Sequence, residues 1–296
     1  MVLVTVAGTT YSVDKRLHKK WATINNGQLA KEDDDRVFVV DGRERSGKSL
    51  FTLQQAGAID PLMFEEALAT QTLPVICFTA EETLNAIRNT KSTLERTRVI
   101  IFDEAFRGLA SSSVLSKTNR MIVQALMEMG QNNLVLFIVL PSFFLLDRYP
   151  AALRSHALIH IAKMKSNPKR RKFYVFNYDK KNLLYRMDRK KAYGYPINTR
   201  VHGTFFNKYP GGDALEALYR RKKLEAFREI ESTLTGDVHE TRAAAQRDYA
   251  IYLLKEKTNM TLKELSKLFS EVDINFRSDA ISKAICRWKD HTPPKK

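Results

Sequence analysis

A glycine-rich segment that ends in lysine and serine is the first feature of the sequence that could do chemistry. Residues 42–49 read Gly-Arg-Glu-Arg-Ser-Gly-Lys-Ser and match the pattern G-x-x-x-x-G-K-[ST] in full. Glycines at these positions let backbone N–H groups turn inward around phosphates, Lys48 adds a positive charge at the β- and γ-phosphates, and Ser49 offers a hydroxyl to Mg²⁺. A chance glycine-lysine turn is the alternative, and the strand-like run before and helix-like run after disfavour it. The predicted nucleotide-binding residues are Gly42, Arg43, Glu44, Arg45, Ser46, Gly47, Lys48, Ser49 and Leu50.

A second segment supplies the acidic groups that such a loop needs. The apolar run Val99-Ile100-Ile101-Phe102 ends in Asp103 and Glu104. A buried strand of this kind delivers Asp103 to its carboxyl end, beside the glycine-rich loop, where it can hold Mg²⁺ through water. Glu104 is then placed to act as general base on an attacking water; the alternative is a solvated acid after a strand. We therefore predict Ser49 and Asp103 as metal residues, and ATP and Mg²⁺ as cofactors.

Three more catalytic candidates, besides Lys48 and Glu104, follow the apolar run 134–140. Ser142 comes directly after this predicted strand and could sense the γ-phosphate, or could equally satisfy a loop backbone. Arg148 and Arg154 come soon after. Either could reach a neighbouring subunit's nucleotide as an arginine finger, a contact worth ~10³–10⁵ in rate. The alternative for each is an ordinary surface arginine.

The segment 163–208 is basic and rich in aromatic residues. It carries 14 basic residues and only two acids, Asp179 and Asp188. The aromatic residues interleaved with the basic ones are Phe173, Tyr174, Phe176, Tyr178, Tyr185, Tyr193 and Tyr195. Such interleaving suits phosphate contacts and base stacking, and it is also what a hairpin with inward aromatics and outward lysines shows. We predict a β-hairpin with strands at 172–178 and 183–187 and a turn at 179–182.

The C-terminal segment has the pattern of three short helices, at 247–255, 260–269 and 278–289. Thr261 and Glu264 have capping-box spacing at the start of the second, and Ser278 is placed to cap the third. Their order and lengths fit a helix-turn-helix. The third helix would then present to DNA the residues Arg277, Ser282, Lys283 and Arg287. The alternative is a three-helix module for protein docking or oligomerisation.

The composition favours an anionic partner. The 296 residues include 49 Lys and Arg against 33 Asp and Glu, for a formal charge of +16. That excess favours nucleic acid first and an anionic membrane second. We find no signal-peptide pattern and no run of apolar residues long enough to span a bilayer. Cys77 and Cys286 suggest neither a disulfide framework nor a zinc site, so a cytoplasmic location is expected.

The elements that must position these residues alternate between strands and helices. Buried strands are predicted at 36–41, 73–79, 98–103, 134–140 and 157–161, and helices at 14–21, 49–58, 81–96, 116–131 and 213–234. This alternation predicts an α/β fold with a mostly parallel sheet covered on both faces. The predicted domains are a lead-in at 1–35, a P-loop core at 36–162, a basic β extension at 163–210, a linking helix at 211–239 and a helix-turn-helix-like module at 240–296.

The two motifs together, with an acid directly after Asp103, resemble the additional-strand catalytic-glutamate class of P-loop ATPases. Within that class the core at 36–162 is similar to DNA-pumping ATPases of the HerA/FtsK type, including the zonula-occludens-toxin-like proteins of viruses, plasmids and filamentous phages. Members often have a glutamine near the end of the fourth strand, where this chain has Pro141-Ser142. The resemblance implies a RecA-like core, a hexameric ring of subunits and duplex DNA as partner.

Three functions remain open from the sequence. The first is an ATP-driven motor that translocates or packages DNA. The second is an ATP-switched DNA-binding regulator of transposition, replication or partition. The third is a small-molecule kinase, which the basic C-terminal half disfavours because a kinase usually carries an acidic or polar acceptor pocket.

Overall fold

The structure is a computed structural model and describes residues 1–103, 112–164, 167, 170–188, 195, 197–258, 260–271 and 278–289. Side chains are described at these positions except 112–118, 188, 229–245 and 287–289. The chain divides into two compact units, Met1–Phe227 and Arg228–Lys296. No helix within the described residues is long and apolar enough to cross a membrane.

Strands and helices alternate along most of the first unit. The described strands are β1 Val2–Val6, β2 Thr9–Val13, β3 Arg36–Asp41, β4 Ile76–Cys77, β5 Val99–Phe102, β6 Val135–Leu140, β7 Ala157–Lys163, β8 Arg170–Phe176 and β9 Val201–Phe206. The described α-helices are α1 Lys15–Trp21, α2 Gln28–Glu32, α3 Lys48–Ile59, α4 Leu62–Thr70, α5 Ala80–Asn89, α6 Ser112–Glu128, α7 Tyr178–Asp188, α8 Gly212–Lys257, α9 Leu262–Ser270 and α10 Ser278–Lys289.

Seven strands form one sheet in the order β4-β5-β6-β3-β7-β8-β9. The strands from β4 to β7 are parallel, and β8 and β9 continue the sheet antiparallel. Every residue of β6 is buried, as expected for a central strand that helices cover on both faces. The chain therefore has the predicted α/β fold with a mostly parallel sheet, the architecture of a RecA-like P-loop core.

The order of the central strands determines where chemistry can occur. β6 lies between β3 and β5, and all three run in the same direction. Their carboxyl ends therefore share one edge of the sheet, which is where parallel α/β folds bind ligands. The glycine-rich loop follows β3 at this edge, and Asp103 follows β5.

The N-terminal residues pack onto this core. β1 and β2 form an antiparallel hairpin, and α1 begins after Asp14, whose carboxylate caps the first turn as expected for a helix at 14–21. The Trp21 indole N–H donates to the Gln55 side chain at 2.8 Å, and its ring lies 5.1 Å from that of Phe38. These contacts join the lead-in to α3 and β3.

The predicted hairpin is half wrong. Its first strand is present as β8, but residues 178–188 form α7, and β8 pairs with β9 instead. Lys181 and Leu184 are three residues apart and both fully buried, which is helical spacing. Over a run as short as 183–187, a period of 2 and a period of 3.6 cannot be told apart by hydrophobicity alone.

Helix ends also differ from the predictions. The helix expected to stop at 234 continues through Gly236 to Lys257 as part of α8. One internal glycine costs only about 1 kcal/mol of helix stability, which is too little to end a helix without a proline or a cap. Conversely, α5 ends at Asn89 rather than at 96, and the predicted strand 73–79 is reduced to Ile76–Cys77.

The second unit has a small apolar core of its own. The buried residues that form it are Ile251, Leu265, Ile281 and Ala284, from the end of α8, α9 and α10. Thr261 accepts from the Glu264 backbone N–H while the Glu264 carboxylate accepts from the Thr261 N–H, so the predicted capping box is confirmed. The second and third predicted helices are present as α9 and α10, whereas the first, 247–255, is the end of the long helix α8 rather than a short helix.

Candidate functional site

The glycine-rich loop connects the end of β3 to the start of α3. Gly42 has φ +144°, and a Cβ there would lie 2.2 Å from the Ile161 carbonyl oxygen. Gly47 has φ +93° and immediately precedes the helix that begins at Lys48. Both motif glycines thus have backbone conformations with a positive φ, which favour glycine over residues that carry a Cβ. The first N–H groups of α3 have no partners within the helix and face the loop, which creates a site for an anion.

The lysine of the motif lies across the loop. Its Nζ donates to the Gly42 carbonyl at 2.9 Å and to the Arg43 carbonyl at 3.1 Å. An ammonium has three donors and can exchange such carbonyl contacts for phosphate oxygens. Next to it, the Ser46 hydroxyl is buried and has no hydrogen-bond partner among the described residues. A buried unpaired donor in this loop fits a site built for phosphate oxygens.

The two predicted metal residues meet at the start of α3. The Ser49 hydroxyl donates to Asp103 Oδ1 at 3.1 Å, and Asp103 is 1% exposed. A hydroxyl and a carboxylate beside a phosphate loop are the oxygen donors that Mg²⁺ prefers. The donor set therefore fits Mg²⁺ in the manner that the sequence predicts.

A tyrosine and a lysine of α8 also reach this carboxylate, which sequence reasoning missed. The Tyr219 hydroxyl donates to Asp103 Oδ2, and Lys223 Nζ lies 3.7 Å from the same oxygen. Burial, reinforced by the charge of Asp103, raises the pKa of Tyr219 well above its usual value, so the hydroxyl stays a donor. The Lys223 ammonium lies 5.5 Å from the Tyr219 ring and 6.0 Å from the Phe78 ring. Sequence patterns could not predict these contacts, because Tyr219 and Lys223 are more than 100 positions from Asp103.

A second buried carboxylate anchors the loop from behind. Asp41, the last residue of β3, is fully buried and accepts from the Phe143 backbone N–H at 2.9 Å. The Tyr195 hydroxyl donates to the same Asp41 oxygen, Oδ2, and His160 Nδ1 lies 2.9 Å from the other oxygen, Oδ1. These bonds attach the residue that precedes the glycine-rich loop to β7 and to the segment after β6. Because Ser142 precedes Phe143, it lies at the same edge of the sheet, and its side chain is half-buried.

The two arginine candidates occupy different places. Arg154 forms an ion pair with Asp35, which precedes β3 at the opposite edge of the sheet from the loop. Arg148 is exposed and has no ion-pair partner in the described part of the chain. Of the two arginines, only Arg148 is exposed.

Several predicted residues fall outside the described part of the chain. Glu104 belongs to these, as do Arg277 and the side chain of Arg287. Of the residues predicted to face DNA, Ser282 and Lys283 are described, and Lys283 is exposed on α10.

No protein-family model and no curated protein sequence matches this chain. Among solved structures, the chain is similar to the crystal structure of the RadB recombinase, with 10% identity, a TM-score of 0.33, and coverage of 60% of this chain and 90% of that chain. It is also similar to the N-terminal domain of zonular occludens toxin from Neisseria meningitidis, with 15% identity, a TM-score of 0.29, and coverage of 49% and 84%. The strand order and the glycine-rich loop, and not these similarities, establish the fold.

Proposed function

We propose that this chain is a Mg²⁺-dependent ATPase that couples hydrolysis to movement of DNA, as a translocating or packaging motor of a virus, plasmid or other mobile element. The observation that carries the proposal is the 3.1 Å contact between Ser49 and Asp103 at the head of α3. It unites the two halves of an ATPase motif that are far apart in the sequence. The extra strand β6 between β3 and β5 further supports the additional-strand catalytic-glutamate class.

The residues would divide the chemistry as follows. The loop N–H groups and Lys48 would hold the β- and γ-phosphate oxygens. Ser49 and Asp103 would hold Mg²⁺, which when bound supplies positive charge to the β- and γ-oxygens. Glu104, next to Asp103 in the sequence, would accept a proton from the attacking water.

DNA as the partner follows from charge. The formal charge of +16 creates a field that favours polyanions, and counterion release makes phosphate contacts the main source of such affinity. The exposed Lys283 on α10 is compatible with a DNA-facing third helix. A motor also requires subunits arranged around the DNA, and the exposed Arg148 is the residue we propose to act across a subunit interface.

The decisive experiment measures ATP hydrolysis across a series of duplexes of increasing length. A motor keeps hydrolysing as it moves, so its turnover rises with duplex length; an ATP-switched regulator reaches its full rate once its binding site fits. The Lys48→Ala variant should show no turnover because the phosphate charge is left uncompensated, whereas Lys20→Ala, at an exposed lysine of α1, should match the unmodified chain. Turnover that survives Lys48→Ala would contradict the assignment of ATP hydrolysis to the glycine-rich loop.

The trans arginine has its own test. Arg148→Ala chains and Glu104→Gln chains, each inactive alone, are mixed in varying ratios. Mixed rings would contain some composite sites with both residues intact, so part of the activity should return. Rings that form without any restored activity would contradict a role for Arg148 across the interface.

A further inference from the structure

The antiparallel end of the sheet has two different faces. On one face, the Phe173 and Phe205 rings pack on Phe51 of α3, at 5.3 and 5.0 Å. The opposite face carries the alternate residues of β8 and β9, paired across the strands. These six residues, which we call the β8–β9 outer face, are Arg170, Lys172, Tyr174, His202, Thr204 and Phe206.

The β8–β9 outer face combines the exposed rings of Phe206 and His202 and the half-buried ring of Tyr174 with cationic groups. Phe206 is 43% exposed, and the Arg170 guanidinium carbon lies 4.6 Å from the centre of its ring. The Tyr174 and His202 rings are 6.2 Å apart and 30° from parallel. Neither strand contains an aspartate or glutamate. An exposed phenylalanine ring can stack on planar groups, and the cations around it attract an anionic chain. The outer face therefore suits a ligand that has both features.

We propose that the β8–β9 outer face binds single-stranded nucleic acid by stacking unpaired bases on Phe206 and Tyr174 while Arg170 and Lys172 contact phosphates. Base stacking on aromatic side chains between cationic groups is how sequence-tolerant single-strand binding works. A duplex keeps its base faces buried against one another, so it could use only the cations of this face. This inference rests on the proposed function, because it specifies the form in which the ATPase contacts its nucleic acid.

The strands that carry the β8–β9 outer face approach the phosphate loop with their opposite face. Arg171 and Phe205, the neighbours that point to the other side of the same strands, lie 3.4 and 3.5 Å from where a Cβ on Gly47 would stand. Gln54 of α3 donates to the Phe206 carbonyl at 2.9 Å. These contacts join the phosphate loop and α3 to the backbone that carries Phe206.

The test measures anisotropy of a labelled oligothymidine and of a duplex of equal length, with the full chain and without nucleotide, over a range of salt. Phe206→Ala should weaken oligothymidine binding by about 5- to 150-fold, because a stacked base contributes about 1–3 kcal/mol. The variant should keep the salt dependence, and Phe206→Trp should restore the affinity. Arg170→Ala should instead reduce the log–log salt slope by about 0.7.

Two control variants are Leu153→Ala, an exposed apolar residue elsewhere, and Arg186→Ala, an exposed cation of α7; neither should change binding. Oligothymidine affinity that is unchanged in Phe206→Ala, with a normal unfolding midpoint, would overturn the inference, as would equal losses for the duplex and the single strand. The outcome is independent of ATPase activity. A chain that binds oligothymidine through Phe206 but never hydrolyses ATP would contradict the proposed function and leave the single-strand site intact.

Discussion

The parallel and the antiparallel parts of the sheet use their side chains in opposite ways. In β6 every residue is buried, so each side chain is committed to packing and none can meet a ligand. Functional groups in this part stand only where strands end, at Asp41 and Asp103. In β8 only Phe173 and Phe176 are buried and the other five residues are half-buried, so the interior of the strand can present cations and rings. Covering both faces of a strand thus moves chemistry to its ends, while leaving one face open distributes it along the strand.

The largest expected effect tests whether a strand end carries the chemistry. Glu104→Gln should lower kcat by ~10²–10⁴, because an amide cannot accept the proton of the attacking water. Nucleotide affinity, measured with a fluorescent ATP analogue, should stay close to that of the unmodified chain. The control is Glu95→Gln, at an exposed acid upstream of β5, which should leave both quantities unchanged. Hydrolysis at the unmodified rate in Glu104→Gln would show that another group is the base.

The second prediction tests how tightly the parallel part closes around the loop. Gly42→Ala should lower the free energy of unfolding by about 3 kcal/mol or more, since its Cβ would meet the Ile161 carbonyl oxygen at 2.2 Å in a strained backbone conformation. Gly8→Ala is the matched control, because Gly8 also has a positive φ, +74°, but its Cβ would meet nothing within 4 Å. Chemical denaturation of both variants provides the comparison. Equal losses would mean that backbone strain alone matters and that the close approach of β7 does not.

The third prediction concerns the hydroxyl that holds Asp103. Tyr219→Phe should lower the free energy of unfolding by about 1.5–3 kcal/mol, as expected for a lost hydrogen bond to a charged group. Tyr209→Phe is the control, because Tyr209 lies 6.3 Å away by ring centres and its hydroxyl has no hydrogen bond among the described residues. Urea denaturation without nucleotide measures both. A Tyr219→Phe variant as stable as the control would show that the contact with Asp103 does not stabilise the fold.

The smallest expected effect concerns Lys181 of α7, the helix that follows β8 and precedes β9 in the chain. Lys181 is fully buried, its Nζ donates to the Ala151 and Ala152 carbonyls, and burial lowers its pKa to about 8. The pKa in the unfolded chain is about 10.4, so the unfolded state binds more protons between these values and stability rises with pH across that window. From pH 7 to pH 9 the unfolding free energy of the unmodified chain should gain about 1 kcal/mol relative to Lys181→Met.

The difference in unfolding free energy between the unmodified chain and Lys181→Met separates the effect of Lys181 from the opposing effect of Cys77. Burial raises the pKa of the Cys77 thiol to about 12, so this cysteine destabilises the fold as pH rises above the pKa of an exposed thiol. Cys77 is present in both proteins and cancels. A difference that stays constant from pH 7 to pH 9 would contradict a lowered pKa at Lys181.

Local patterns predicted much of the fold. β3 and β6 were predictable because a buried parallel strand is a continuous apolar run. The start of α3 was predictable because the loop before it matches the pattern G-x-x-x-x-G-K-[ST]. The capping box of α9 is equally local, since its two residues are three positions apart. In each case the residues that decide the structure are close together in the sequence.

Long-range contacts decided the rest. The sequence by itself determined the glycine-rich loop, the placement of Asp103 after a buried strand and the basic character of 163–208. Only the tertiary structure decided that Tyr219 and Lys223 reach Asp103, that Arg154 pairs with Asp35 at the far edge, and that β8 pairs with β9 across α7. The physical reason is that these outcomes depend on which distant groups the packed sheet brings within a hydrogen bond of each other, and no local propensity or spacing records that distance.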